Sequence, residues 1–119
     1  MKMLRALIFF LMASCASLPS TRNSLVGEWR YADKVQSCHY VFKNDGLFTG
    51  DVIYQGKLLF KFTGRWSVEG KALLYTYIND AMGRIPPGAT DRDQLLSVKK
   101  DLFVIEAKDG SRRQYSRMK

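Results

Sequence analysis

Beyond residue 25 the chain alternates apolar and polar residues with period two, and turn residues interrupt the pattern every eight to twelve positions. Successive side chains of a strand point to opposite faces, so this pattern, with no helical period to compete, restricts the fold to an antiparallel sandwich or barrel. Eight strands are predicted, over 26–31, 38–43, 47–54, 58–66, 72–79, 94–99, 102–107 and 112–117. Asn44-Asp45-Gly46, Gln55-Gly56-Lys57, Glu69-Gly70-Lys71 and Asp109-Gly110 supply hairpin turns, because Asn, Asp and Gly tolerate the backbone conformations that short turns need. Cys38, Tyr40 and Phe42 share one face of the second strand, opposite His39, Val41 and Lys43. Leu58, Phe60, Phe62 and Trp66 share one face of the fourth, opposite Lys61, Thr63 and Arg65. Eight hairpin-linked strands with one apolar face close most economically into an up-and-down barrel, which leaves no exposed edge. Gly64, inside the long fourth strand, is expected to mark a bend or bulge where the sheet curls.

The N-terminus follows a different logic. A basic start (Met1 to Arg5) precedes eight unbroken apolar residues (Ala6 to Ala13) and then Ser14-Cys15-Ala16-Ser17. That order predicts a secretory signal helix, and the apolar run is far short of the roughly 20 residues that a membrane-spanning helix needs. Export places nucleic acid and cytosolic chemistry outside the expected partners. Met12-Ala13-Ser14-Cys15 resembles a bacterial lipobox, with Met where Leu is usual. The resemblance implies a signal peptide over 1–14 and a mature N-terminus at Cys15 that carries a diacylglycerol thioether and an N-acyl chain. It further implies a membrane anchor through those chains, and Ala16 lacks the Asp that signals inner-membrane retention. The expected location is the outer membrane, facing the periplasm. The alternative is ordinary signal-peptidase cleavage, for example after Ala16. Residues 15–24 are small, polar and contain Pro19, and are expected to form a flexible tether to a domain over 25–119.

Removing the first 14 of 119 residues leaves 105, and the loss of Lys2 and Arg5 lowers the formal charge from +8 to +6. A chain of that length forms one domain, and five of the seven Phe, with six Tyr and two Trp, remain to supply a core without disulfide staples. The positive charge favours anionic surfaces, although it is dispersed, and Lys99-Lys100 and Arg112-Arg113 fall at strand ends, as on a solvated face. Once Cys15 is acylated, Cys38 has no partner in the chain. It reads as a small buried hydrophobe, with a reactive thiol or an intermolecular disulfide as alternatives. A bridge to Cys15 arises only if the lipobox reading fails.

Gly27-Glu28-Trp29 reproduces the Gly-x-Trp motif of lipocalins. The run from Phe42 through Asn44-Asp45-Gly46 to Phe48, followed by Gly64-Arg65-Trp66 and the turn at Gly70, is similar to small bacterial lipocalin-like lipoproteins. The resemblance covers about residues 25–117. It implies that Trp29 packs across the closed end of the barrel beneath an arginine of the last strand, Arg117 or Arg113. The cavity lining expected from it is Trp29, Tyr40, Phe42, Phe60, Phe62 and Trp66.

No nucleophile elbow and no phosphate-cradling glycine loop occurs in the sequence. No metal or cofactor site and no enzymatic activity are expected. His39 is the sole histidine and is placed on the outer face. Asp91-Arg92-Asp93 is the closest pair of carboxylates and reads as a local ion network. The segment from Asp80 to Asp91 is long enough to lid the open end or to meet a partner, or is simply a long connection. Two functions follow. One is an envelope lipoprotein that binds a small apolar or amphipathic ligand in the barrel. The other is an interaction or envelope-maintenance lipoprotein with a filled barrel, acting on envelope proteins through its surface and the 80–91 loop.

Overall fold

The computed structural model describes residues 20–118, so the signal peptide expected over 1–14 and the lipid attachment expected at Cys15 lie outside the described residues. Among the described residues one short helix, α1 (Thr21–Leu25), leads into eight strands: β1 (Gly27–Ala32), β2 (Gln36–Phe42), β3 (Leu47–Tyr54), β4 (Lys57–Glu69), β5 (Ala72–Asp80), β6 (Thr90–Val98), β7 (Leu102–Glu106) and β8 (Arg112–Arg117). Each strand pairs antiparallel with the next, and β1 pairs with β8 through Trp29 opposite Arg117 and Arg30 opposite Ser116. The sheet is a closed barrel in the order β1 to β8, the up-and-down topology expected from the alternation.

The last part of the expected 15–24 tether is structured. Ser20 caps α1 by accepting from the Asn23 N–H at 3.1 Å, and Leu25 is fully buried against the core. A side-chain acceptor at the cap satisfies one of the N–H groups that a helix start leaves unpaired. The amphipathic signal here is one residue, Leu25, which is too little for periodicity to reveal.

Three register shifts bend the sheet, each with one extra residue. Thr63 pairs with Asn79 but Gly64 pairs with Tyr77, so Ile78 bulges from β5. This is the irregularity expected at Gly64. A Cβ there would collide with the Thr76 carbonyl oxygen and stand 2.7 Å from the Phe48 ring, so only glycine lets the strands approach. Leu96 bulges from β6 in the same way. The third shift corrects the sequence reading: Val52 pairs with Phe60 but Ile53 pairs with Leu58. Leu59 is the extra residue, and beyond it the faces of β4 exchange. Leu58, expected inside, is therefore exposed beside Ile53.

The interior is filled with side chains. Trp29, Phe42, Phe48, Phe62, Trp66, Leu73, Tyr75, Leu95, Phe103, Ile105 and Tyr115 form one buried cluster. Their rings meet edge-on, tilted and stacked at centroid distances such as 4.8 Å for Trp29 with Phe103 and 4.9 Å for Phe42 with Trp66. Eight strands enclose a lumen that side chains can fill or that can hold one small ligand. Here aromatic rings occupy most of it.

Candidate functional site

The barrel has two unlike ends. At one, the 43–46, 70–71 and 99–101 connections and α1 come together over the lumen. Trp29 lies across this end with no exposure, and its Nε1–H donates to the Leu25 carbonyl at 2.8 Å. The Arg117 guanidinium lies 4.2 Å from the Trp29 ring centre, and it donates to the carbonyls of Lys100 (2.8 Å), Val26 (2.9 Å) and Ser24 (2.8 Å). Arg117 is thus the arginine that covers Trp29, whereas Arg113 lies 5.7 Å from the Tyr31 ring nearer the other end. The glycine two residues before Trp29 has its own reason. Gly27 has φ 139°, and a Cβ on it would strike the Arg117 guanidinium. A second pair repeats the device: Trp66 Nε1–H donates to the Lys43 carbonyl at 2.9 Å, and Arg22 of α1 stacks 4.7 Å from its ring.

A solved structure of a lipocalin-like protein from Bacteroides uniformis superposes on this barrel with a TM-score of 0.58. The two chains are 20% identical, and the match covers 80% of this chain and 99% of that one. The fold is lipocalin-like. No protein-family model and no curated protein matches the sequence.

At the mouth of the lipocalin-like barrel the inward-facing residues turn polar. Tyr40 of β2, Tyr75 of β5, Asp91 and Asp93 of β6, Arg113 and Tyr115 of β8, and Ala107, Lys108 and Asp109 of the β7–β8 hairpin line a pocket of about 240 Å³. A larger depression of about 400 Å³ lies between Glu69, Lys71, Arg92, Gln94, Glu106 and Lys108 on the outer wall. That depression is open to solvent and outside the lumen, so the mouth pocket is the better candidate site. The Tyr75 hydroxyl donates to Asp93 Oδ2 at 2.9 Å. Burial raises the Asp93 carboxyl to about 6, against the Tyr75 hydroxyl, which lowers it; Asp91 and Asp109 add to the rise and Arg113 opposes it. Burial likewise pushes the hydroxyls of Tyr40, Tyr75 and Tyr115 above the usual phenol range, so all three stay neutral donors at physiological pH.

Of the six residues expected to line a cavity, only Tyr40 reaches this pocket. Trp29 and Trp66 are committed to the closed end, Phe42 and Phe62 are packed in the core, and Phe60 is half-buried against it. Pocket residues that the sequence reading does not single out include Asp91, Asp93, Tyr75 and Tyr115. The Arg between the two carboxylates makes them look like a local ion network. Yet β6 begins at Thr90, and Asp91, Asp93 and Leu95 continue one inward face in phase. Alternate spacing from the apolar Leu95 was the available signal.

The remaining expectations are placed as follows. His39 faces outward between Glu28, at 2.5 Å, and Asp51, at 3.6 Å. Cys38 is buried, and burial raises its thiol. No group of three or more His, Cys, Asp and Glu side chains among the described residues is arranged to hold a metal. The 81–89 connection is not a free flap. Asp80 accepts from four backbone N–H groups, those of Lys61, Met82, Arg84 and Ile85. Gly88 N–H donates to the Tyr77 carbonyl at 2.7 Å, and Ile85 and Ala89 pack on the core.

Proposed function

We propose that this chain is an exported, lipid-anchored envelope protein whose barrel holds a small amphipathic molecule at its mouth without transforming it. One observation carries the binding half of this reading: inward-facing tyrosines, a carboxylate and a guanidinium converge on a single pocket of about 240 Å³ at the open end. Ligand pockets usually begin near roughly 300 Å³. The guest is therefore small, with its apolar body against Tyr40 and its polar end among Asp93 and Arg113.

The anchoring half rests on the lipobox-like Met12 to Cys15. Four residues separate Cys15 from the helix cap Ser20. Even fully extended, that stretch spans no more than about 18 Å, so acyl chains on Cys15 would hold the closed end near the bilayer and turn the mouth away from it. Arg22, Lys43, Lys71, Lys99 and Lys100 belong to that end and suit anionic headgroups.

A second reading is favoured by the aromatic packing below the pocket: a filled barrel that acts on an envelope protein through its surface. Native mass spectrometry of the protein purified from its own envelope separates the two. A retained small molecule supports the first reading; an empty barrel with a co-purifying protein supports the second. Replacing Cys15 with Ser tests the anchor, since the protein should then move from the membrane to the soluble fraction. Unchanged membrane association would overturn the anchoring.

A further inference from the structure

Asp93 is the one inward carboxylate of the mouth pocket that makes no ion pair among the described residues, although Arg113 in the same pocket favours its charge from a distance. Its side chain is half-buried, with a single hydroxyl donor, Tyr75 at 2.9 Å. The ion pairs among the described residues join His39 to Glu28 and Asp51, and Lys108 to Asp91 at 3.6 Å; Asp93 is in none of them. Arg113 shares the pocket but lies over the Tyr31 ring. A carboxylate withdrawn from water is destabilised unless an opposite charge or several donors answer it, and one hydroxyl leaves most of its acceptor capacity open. Tyr40, which is half-buried, lines the pocket beside it, together with the edges of Tyr75 and Tyr115, whose rings are packed in the core. Aromatic rings attract cations electrostatically, and the attraction strengthens where water is excluded.

We propose that the mouth pocket receives a small organic cation, a protonated amine on a short aromatic or aliphatic body, with its ammonium group against Asp93 and its body against Tyr40. This rests on the reading of the barrel as a ligand binder and adds the chemical class of the ligand. The charged groups that face the site are Asp91 and Asp93 from β6, Asp109 and Lys108 from the β7–β8 hairpin, and Arg113 from β8. Lys108 is engaged by Asp91, so the charges left free are those of Asp93, Asp109 and Arg113. Asp109 is exposed on the hairpin, where water answers its charge, and Ser111 donates to it through its N–H and hydroxyl. Asp93 is then the carboxylate open to a guest. Ionisation of Asp93 near pH 6 makes it a full anion at pH 7.5 and mostly neutral at pH 5.

The test is a titration of the full chain with three probes of one shape: phenethylamine (cation), 2-phenylethanol (neutral) and phenylacetate (anion). Binding is followed by the backbone amide resonances of Tyr75, Asp93 and Arg113. At pH 7.5 phenethylamine should bind at least about tenfold more tightly than 2-phenylethanol, and it should weaken about tenfold at pH 5 as the carboxylate protonates. Asp93→Asn should abolish both effects. If that variant loses its dispersed spectrum, Tyr75→Phe replaces it. Loss of the one donor should move the pH midpoint of amine binding upward, and an unmoved midpoint overturns the proposal. If the alcohol or phenylacetate binds as tightly as the amine, the cation assignment fails and the barrel remains a ligand binder. If no probe shifts those amides up to its solubility limit, both the assignment and the binding function fall.

Discussion

At the closed end the two indole N–H groups and the Arg117 guanidinium are answered by backbone carbonyls. Trp29 donates to Leu25, Trp66 donates to Lys43, and Arg117 spreads its guanidinium over three carbonyls while covering an indole ring. At the mouth, at the other end of the same lumen, Asp93 has one tyrosine hydroxyl, and burial, which disfavours its charge, raises its carboxyl to about 6. Both ends place polar side chains against aromatic rings. The difference is whether the partners come from the protein itself. A self-satisfied end adds to stability, and an end with an open charge costs stability until something else fills it. That contrast is what separates a cap from a site.

The largest expected effect breaks the cap. Trp29→Ala removes a fully buried ring in contact with Phe103, together with the hydrogen bond to α1. It should cost about 3–5 kcal/mol in urea or guanidinium unfolding. A loss below about 1 kcal/mol would mean that the closed end does not hold the barrel together.

Arg117→Met keeps much of the apolar stem over Trp29 but strands the carbonyls of Ser24 and Val26, which the guanidinium reaches from within the fold. Solvent can replace the bond to Lys100 more readily. The expected cost is about 2–3 kcal/mol, the range for hydrogen bonds to a charged group. The loss should be accompanied by faster amide exchange in α1. Full stability in this variant would show that Trp29 alone seals the end.

At the mouth the sign reverses. A carboxyl near 6 in the folded protein against an ordinary value of 3.8 means that the folded state binds more protons between those limits. The contribution of Asp93 is therefore most favourable below pH 3.8 and is lost as pH rises through about 6. The shift corresponds to at most about 3 kcal/mol. Solvent on the open side reduces this to about 1–2 kcal/mol. Asp93→Asn should accordingly be more stable than the parent at pH 7.5 by that amount and equal to it at pH 4. Comparing the two proteins cancels the other carboxyls, including Asp33, Asp80 and Asp109, which are held low and lose stability in acid. Destabilisation by Asp93→Asn at pH 7.5 would mean that the carboxylate is already answered, and the two ends would then be alike.

The closed end was far more legible in the sequence than the mouth, for a physical reason. Packing leaves a residue-type signature: Gly27 and Trp29 stand two apart because one clears the guanidinium that the other lies beneath. Gly64 advertised a close approach of strands in the same way. Period two located all eight strands, but it holds only while the register is unbroken. One extra residue at Leu59 turned Leu58 to solvent, and nothing in a run of Lys57-Leu58-Leu59-Phe60 announces which leucine is the extra one. The mouth was hidden by composition. Asp91-Arg92-Asp93 looks like a solvated turn until the pairing of Asp93 with Leu73 and Asp91 with Tyr75 sets both carboxylates on the inner face. Aromatic residues, conversely, drew attention as cavity lining when most of them are the filling.

The smallest expected effect concerns the 81–89 connection and sharpens the comparison at the mouth. Asp80 is buried, and burial alone would raise its carboxyl, but the N–H groups of Lys61, Arg84, Met82 and Ile85 outweigh that and hold it low. Asp80→Asn retains one acceptor oxygen and turns an amide NH₂ toward N–H donors, so about half of that cradle is lost. The packing of Ile85 and Ala89 and the bond from Gly88 to Tyr77 remain. Opening should therefore stay local, with amide exchange over residues 82–85 faster by about tenfold, or roughly 1.4 kcal/mol. The core amides of β2 and β7 should be unchanged. None of residues 81–89 lines the mouth pocket, so phenethylamine affinity should change less than about twofold. A larger loss of affinity would make the connection part of the site, and the mouth would then be a covered pocket.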